Sequence, residues 1–336
     1  MVSNDTIEIM MDSWAPASRA QYECYISRWL DYCAKLEVDP LNASVEQAIE
    51  FLTFLVKSTD LRYSAINTAR SALSSLLPRR NGISFGKDHR VSRLLKAIFR
   101  LRPSLPKHTV TWDVSLALNC LMNLHRQGDN SLKIQSLKLA LLLCLLSGQR
   151  CQTLGKLDLE FMYLDNSRAV FYIPDLVKTS RPSFHQAPLE FKAFPYNPVL
   201  CPVRCIQSYL QSTNRWEKES RVGLLFLSYA PPFKPIKAGT IARYVRELLL
   251  KAEVDLTTFS AHSCRGASTS AAKKNGLSMA AICKAAGWSN CATFAKHYDR
   301  EVSRNFGETI LKSATSLEIT ETTVMEIHHD HAYSML

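Results

Sequence analysis

The sequence predicts a mainly α protein with a small β-sheet, folded as two domains joined by a short linker. Three observations carry that expectation. A chain of 336 residues that is 46% hydrophobic is long enough to bury two cores. Apolar residues recur at helical spacing through most of its length, and only two short segments have the composition of strands. One stretch, Arg102-Pro103-Ser104-Leu105-Pro106-Lys107, holds two prolines and no apolar period, as linkers do.

Residues 17–101 read as four helices, after a short tail over 1–16. Tyr22, Tyr25, Ile26, Trp29, Leu30, Cys33 and Leu36 make the first apolar stripe, which Asp39-Pro40 is expected to end. Ser44 and Gln47 form a capping box ahead of Val45, Ala48, Ile49, Leu52, Leu55 and Val56. A third stripe runs through Ile66, Ala69, Leu73, Leu76 and Leu77 and stops at Pro78. The fourth helix spans about Asp88 to Leu101, with Val91, Leu94, Leu95 and Ile98 on one arc.

After a linker over 102–108, the second domain covers 109–312. Helices are expected around 111–127 and 131–147. Short strands follow at Arg168–Ile173 and Ala187–Phe191. Thr240 is read as the cap of a helix carrying Ile241, Tyr244, Val245, Leu248 and Leu249. Another helix begins near Ser260 and ends at Gly276. The tail, 313–336, scatters four acids among Thr and His and reads as poorly ordered.

Charge points to the class of partner. The net charge is +11, which suggests a polyanion, either nucleic acid or an anionic membrane surface. Residues 57–107 hold 12 basic and 2 acidic residues, a net of +10, and 108–312 hold 26 and 15, a net of +11. Both ends are acidic. On the fourth helix, Arg90, Arg93, Lys96 and Arg100 fall mostly outside the apolar arc, and Arg79-Arg80 lie just before it. A charged outer face is usually only a solvated face. An all-basic one is as well suited to phosphates, so both readings stand.

Several classes are excluded. MVSNDTIEIM is unlike a signal or transit peptide, and the longest apolar run, Leu139 to Leu146, is too short to cross a bilayer. Ten cysteines without a disulfide spacing suit reduced thiols in a cytosolic or nuclear protein. There is no Gly-rich phosphate loop and no His-Glu-x-x-His. Cys201 and Cys205 lack a second pair, and His328, His329 and His331 sit in the tail, so no metal site is expected.

The remaining constellation suits a phosphodiester. His262 and Arg265, three apart near a helix start, share a face where free N–H groups and the helix dipole favour an anion. Arg150 leaves an apolar helix at a turn, Lys178 occupies the turn between the two strands, and Gly287-Trp288 precedes Thr293-Phe-Ala-Lys-His-Tyr298. Taken singly, each has a bland reading: an Arg capping carbonyls, a solvated Lys, a packed Trp or Tyr.

The order Arg150, Lys178, His262-x-x-Arg265, Trp288, Tyr298 resembles the tyrosine recombinase (phage integrase) family across roughly residues 17–312. The wording Gly-Gln-Arg-Cys-Gln-Thr-Leu and Gly-Trp-Ser-Asn-Cys-Ala-Thr-Phe-Ala-Lys-His-Tyr is most similar to recombinases of eukaryotic DIRS-type and Crypton-type mobile elements. The resemblance implies a helical, SAM-like core-binding domain over 17–101 and an α+β catalytic domain over 109–312. It implies that Tyr298 attacks the scissile phosphorus to form a 3′-phosphotyrosyl link, while Arg150 and Arg265 clamp the non-bridging oxygens. His262 would act as acid/base or orient a phosphate oxygen, Lys178 would protonate the leaving 5′-oxygen, and Trp288 would donate its indole N–H. No cofactor or metal is implied.

The implied partner is double-stranded DNA, held in a C-shaped clamp within a tetramer on two sites, in the nucleus and not on a membrane. Residues Val302 to Leu311 would pack on a neighbouring protomer. One position departs from the family: an acid often stands three residues after the first Arg, and here it is Thr153. Two other readings stay open, a DNA-binding relic that no longer recombines and a type IB topoisomerase.

Overall fold

The structure, a computed structural model, describes residues 13–103, 110–178, 180–182, 185–220, 223–288 and 290–302, with 215–220 and 302 described by backbone alone. The chain divides into two compact units, Met1–Pro106 and Lys107–Leu336. The expectations for the 313–336 tail, its three histidines and residues 303–311 lie outside the described residues.

Four helices build the first unit: α1 (Pro16–Lys35), α2 (Val45–Ser58), α3 (Tyr63–Leu76) and α4 (His89–Leu101). Pro16 sits at the first turn of α1, where its missing N–H costs nothing. The Ser44/Gln47 capping box forms as expected at α2, and Asp88 caps α4. Trp29, Phe51, Leu52, Ile66, Leu73, Val91 and Ile98 close one core. Trp29 is completely buried, yet its indole N–H reaches the Pro40 carbonyl at 3.0 Å, so no polar atom is stranded.

Three local expectations are corrected here. Helix α1 ends at Lys35, ahead of Asp39-Pro40, because the chain reverses through Glu37 at φ 54°. Leu36, beyond the helix end, and Leu30, on the outer side of α1, are exposed rather than in the core. Asp39 organises the following turn, accepting from Leu41 N–H at 2.9 Å and from the Asn42 amide at 2.7 Å. Arg102 belongs to the helical unit and not to a linker, since its guanidinium binds the Thr59 and Leu61 carbonyls at 2.6 and 3.2 Å.

The second unit is built around α6 (Leu132–Ser147), which is apolar on nearly every side and buried to match. Helices α5 (Val114–Arg126), α8 (Pro202–Ser220), α9 (Ala238–Lys251) and α10 (Ser263–Lys274) complete its helical core. The short α7 (Cys151–Leu154) follows α6, and α11 (Met279–Ala286) and α12 (Cys291–His297) follow α10. Helix α9 starts at Ala238 with Lys237 at its cap, so Thr240 lies inside the first turn and is not the cap. Helix α10 starts at Ser263, three residues after the expected Ser260, with His262 at the cap position.

Two small sheets complete this unit. Strands β2 (Met162–Leu164), β3 (Arg168–Phe171) and β4 (Leu189–Lys192) form an antiparallel meander, with Ala169 opposite Phe191 and Phe171 opposite Leu189. These four side chains face the core, in the alternation that half-buried strands require. The expected strands form over shorter spans, and β2 is an addition. A second sheet pairs β1 (Val110–Thr111) in parallel with β5 (Glu301–Val302). No helix among the described residues is long and apolar enough to cross a membrane.

Candidate active site

The ends of three helices and one loop bring the site together. Helix α6 stops at Gly148, whose φ of +59° turns the chain left-handed, so that Gln149 stays buried while Arg150 becomes half-buried. Arg150 then occupies the cap position of α7. Helix α11 stops in the same way at Gly287, φ +67°, and delivers Trp288. The φ of +67° is what favours glycine at 287; a side chain there would press on the Gln186 and Gln149 amides, which are the far ends of flexible side chains and able to shift. Gln149 is buried and its amide donates to the Ala285 carbonyl at 2.9 Å, tying the end of α6 to the end of α11.

Arg265 is the centre of the arrangement. It is 1% exposed and reaches from α10 to the Gly148 carbonyl through Nη1 at 2.6 Å. Its Cζ lies 4.1 Å from the centre of the Trp288 ring and 5.5 Å from that of Tyr298. The Trp288 and Tyr298 rings are 4.8 Å apart, and Phe294 backs the tryptophan at 5.5 Å. His262 Nε2 stands 3.3 Å from the Tyr298 hydroxyl. A cleft of about 480 Å³ opens beside this pair, lined by His262, Gly266, Tyr298 and Arg300 among others.

The polar bookkeeping of the site is unfinished. Arg265 Nε and Nη2 and the Trp288 Nε1 are buried without a hydrogen-bond partner among the described residues. Half-buried Arg150 likewise has no side-chain partner among them, and Thr153 supplies no charge. Each unmet buried donor costs roughly 1–3 kcal/mol, and more when charged. Buried donors in folded proteins nearly always find a partner in protein, water, an ion or a ligand, so three unmet together mark a polar site.

Titration follows the same logic. Burial, then the charges of Arg150, Arg265 and Lys178, push the His262 imidazole below its usual value, which favours the neutral ring. Burial and the neighbouring Arg150 pull Arg265 down to about 10, still charged at neutral pH. Lys178 is exposed in the turn between β3 and β4; its charge is felt at His262, but no contact joins it to the other five residues.

Thus the fold gathers His262, Arg265, Trp288 and Tyr298 through direct contacts, sets Arg150 beside them in electrostatic range, and holds Lys178 on an adjoining loop. Residues 117–304 match the model of the phage integrase family. The chain belongs to the phage integrase family. Solved structures of similar fold include the XerH site-specific recombinase bound to its difH substrate in a pre-cleavage complex. It is 15% identical, with 94% of this chain and 84% of that chain covered, at a TM-score of 0.59. The Tn1549 transposon integrase in complex with transposon right end DNA is 16% identical over 94% of each chain, at 0.54. A lambda integrase dimer bound to a COC′ core site is 13% identical over 91% of this chain and 98% of that chain, at 0.50. No curated protein matches the chain.

Two residues of this phage integrase family member escaped the sequence reading. Gln149 is one. The other is Ser270 on α10, whose hydroxyl bonds the backbone on both sides of Asp299, donating to the Tyr298 carbonyl and accepting from the Arg300 N–H. Ser270 is four residues beyond Gly266, so these two share a face of α10, but five beyond Arg265, so the spacing to the arginine did not mark it.

The basic candidates of the first unit divide into two groups. Arg90 is occupied within the fold by Glu46 and by Asp88, the latter at 3.0 Å. Arg80 binds the Asn42 and Ala43 carbonyls at 2.8 and 3.1 Å. Arg79, Arg93, Lys96 and Arg100 are exposed, and none has a side-chain partner among the described residues.

Proposed function

We propose that this protein is a site-specific DNA recombinase that cuts and rejoins DNA through a 3′-phosphotyrosyl intermediate on Tyr298. One observation supports it above the others: a phenol and an imidazole in contact beside three buried, unmatched donors. A phosphodiester supplies what the donors lack, an anion with two free oxygens. Charge on those oxygens grows in the transition state, where fixed donors in a dry site act most strongly.

In the proposed step the Tyr298 proton passes to neutral His262 Nε2 as the phenolic oxygen bonds to phosphorus. Arg150, Arg265 and Trp288 hold the non-bridging oxygens. The bond from phosphorus to the 5′-oxygen breaks, and Lys178, exposed in its turn, gives that oxygen its proton. One phosphorus–oxygen bond replaces another, so a free 5′-hydroxyl can reverse the step on a new strand.

The similar solved structures of site-specific recombinases and integrases with DNA support double-stranded DNA as the partner, and the lambda dimer supports assembly on it. A tetramer on two sites follows from the family resemblance. The motifs around Arg150 and Tyr298 favour a eukaryotic DIRS-type or Crypton-type element as the source, with the nucleus as the working compartment. The DNA-facing role within the first unit falls to Arg79, Arg93, Lys96 and Arg100. A library of nicked duplexes of randomised sequence tests the function: covalent adducts should form with the wild-type chain and vanish in Tyr298→Phe. Adducts that persist in that variant would overturn the nucleophile. DNA binding without any adduct would favour the relic reading, and relaxation of supercoiled plasmid without site preference the topoisomerase.

A further inference from the structure

The segment that carries Tyr298 is fastened from below by one buried hydroxyl. Ser270, 5% exposed on α10, donates to the Tyr298 carbonyl at 2.6 Å and accepts from the Arg300 N–H at 3.1 Å. A hydroxyl is one donor with room to accept, and here both capacities go to the same short stretch of backbone. Helix α12 ends just before it. The N–H groups of Tyr298 and Asp299 still return to the Phe294 carbonyl at 2.8 and 2.9 Å. The Tyr298 carbonyl and the Arg300 N–H are thus among the first groups the helix leaves over, and β-pairing resumes only at Glu301.

We infer that Ser270 is a positioning residue for Tyr298, setting the height and direction from which the phenol meets phosphorus. This rests on the recombinase reading above. The geometry suits the role because α10 also carries His262 and Arg265. One rigid element therefore holds the proton acceptor, the phosphate clamp and the anchor of the nucleophile in fixed register. Lys273 on the same helix adds an ion pair to Asp299 at 2.5 Å, but that pair is partly exposed and screened by solvent. The buried hydroxyl is the stiffer of the two attachments. An error of about 1 Å in a reacting group can cost on the order of 100-fold in rate, so a looser anchor should show in chemistry before it shows in binding.

The test compares Ser270→Ala and Lys273→Ala with the wild-type chain, by two readouts. The first is hydrogen exchange at the Arg300 amide in the DNA-free protein, which needs no activity. The second is the rate of covalent adduct formation on the library of nicked duplexes at saturating protein, alongside affinity for the same library at fixed salt. In Ser270→Ala the Arg300 amide should exchange faster, and adduct formation should slow by roughly 10- to 100-fold at unchanged affinity. Lys273→Ala should stay close to wild type in rate. Unchanged exchange at Arg300, a wild-type adduct rate in Ser270→Ala, or a parallel loss of affinity and rate would each overturn the positioning role. If the wild-type chain forms no adduct while Arg300 exchange still responds, the recombinase reading fails and the tether stands without a reaction to serve.

Discussion

The Arg265 guanidinium lies over Trp288, its Cζ 4.1 Å from the ring centre, with one nitrogen on the Gly148 carbonyl and two without a hydrogen-bond partner among the described residues. A charge buried in this way stabilises little by itself, and a neutral residue of similar length in its place is often neutral to stability or better. Arg265→Met is therefore expected to melt within a few degrees of wild type, or above it. Covalent adduct formation should fall by roughly 100- to 1000-fold, the usual loss for one oxyanion donor. A thermal melt beside an adduct assay decides it: a strongly destabilised Arg265→Met would mean that the guanidinium serves the fold.

The same unmatched donors should respond to a small tetrahedral anion. Inorganic phosphate or vanadate that fills the site stabilises the folded state by RT ln(1 + [L]/Kd), about 1.4 kcal/mol at ten times Kd. The melting temperature should rise with anion concentration in the wild type and much less in Arg265→Met. Equal rises in both would place the anion elsewhere.

The contact between His262 and Tyr298 sets a pH dependence. Burial and three nearby cations depress the imidazole, so the neutral, proton-accepting form persists below the usual histidine range. Single-turnover cleavage should climb with pH through a midpoint below 6.5 and be level by neutrality, and His262→Gln should lose that limb along with most of the rate. Removing one of the cations, as in Lys178→Met, should move the His262 titration upward when followed by NMR. A limb centred above 6.5 in the wild type would contradict the environment described here.

Because His262, Arg265, Trp288 and Tyr298 meet within one chain, the nucleophile is expected to act with its own chain's clamp. Mixing Tyr298→Phe with Arg265→Met should restore no adduct. Recovery of a sizeable fraction of activity would mean that the tyrosine is exchanged between protomers.

On α4 the charges should separate by role. Alanine at Arg93, Lys96 or Arg100 should weaken binding to all duplexes alike. It should also flatten the dependence of log K on log salt by about 0.9 for each phosphate left without its cation. Arg90→Ala should act chiefly on stability, through the loss of its ion pairs to Glu46 and Asp88. Binding titrations at several salt concentrations would expose an error in either assignment.

The helices were legible because burial on one side imposes a period, and α2 and α4 show it residue by residue. The six candidate site residues could be named because their order and spacing resemble those of the tyrosine recombinase family, not because any one of them stands out alone. What escaped was decided by partners far away in sequence. Strands β1 and β5 are two residues long and lie about 190 positions apart, so neither has a pattern to find. Gln149 and Ser270 act on backbone carbonyls, groups that every residue owns and that only the fold brings near. Arg80 and Arg90 looked like DNA contacts because charge is visible in sequence, whereas the carbonyls and carboxylates that occupy them are not. At Thr153 the sequence left open what would replace the missing acid, and among the described residues nothing does.

Val110 is the first described residue after the stretch that joins the two units, and it pairs with Glu301, three residues past Tyr298. The thread that enters the second unit is thus spliced to the thread that leaves the nucleophile, by a ladder only two rungs long. Trp112, one residue beyond that ladder, donates its indole N–H to the Ser263 hydroxyl at 2.8 Å, so the same thread is also fastened beside His262.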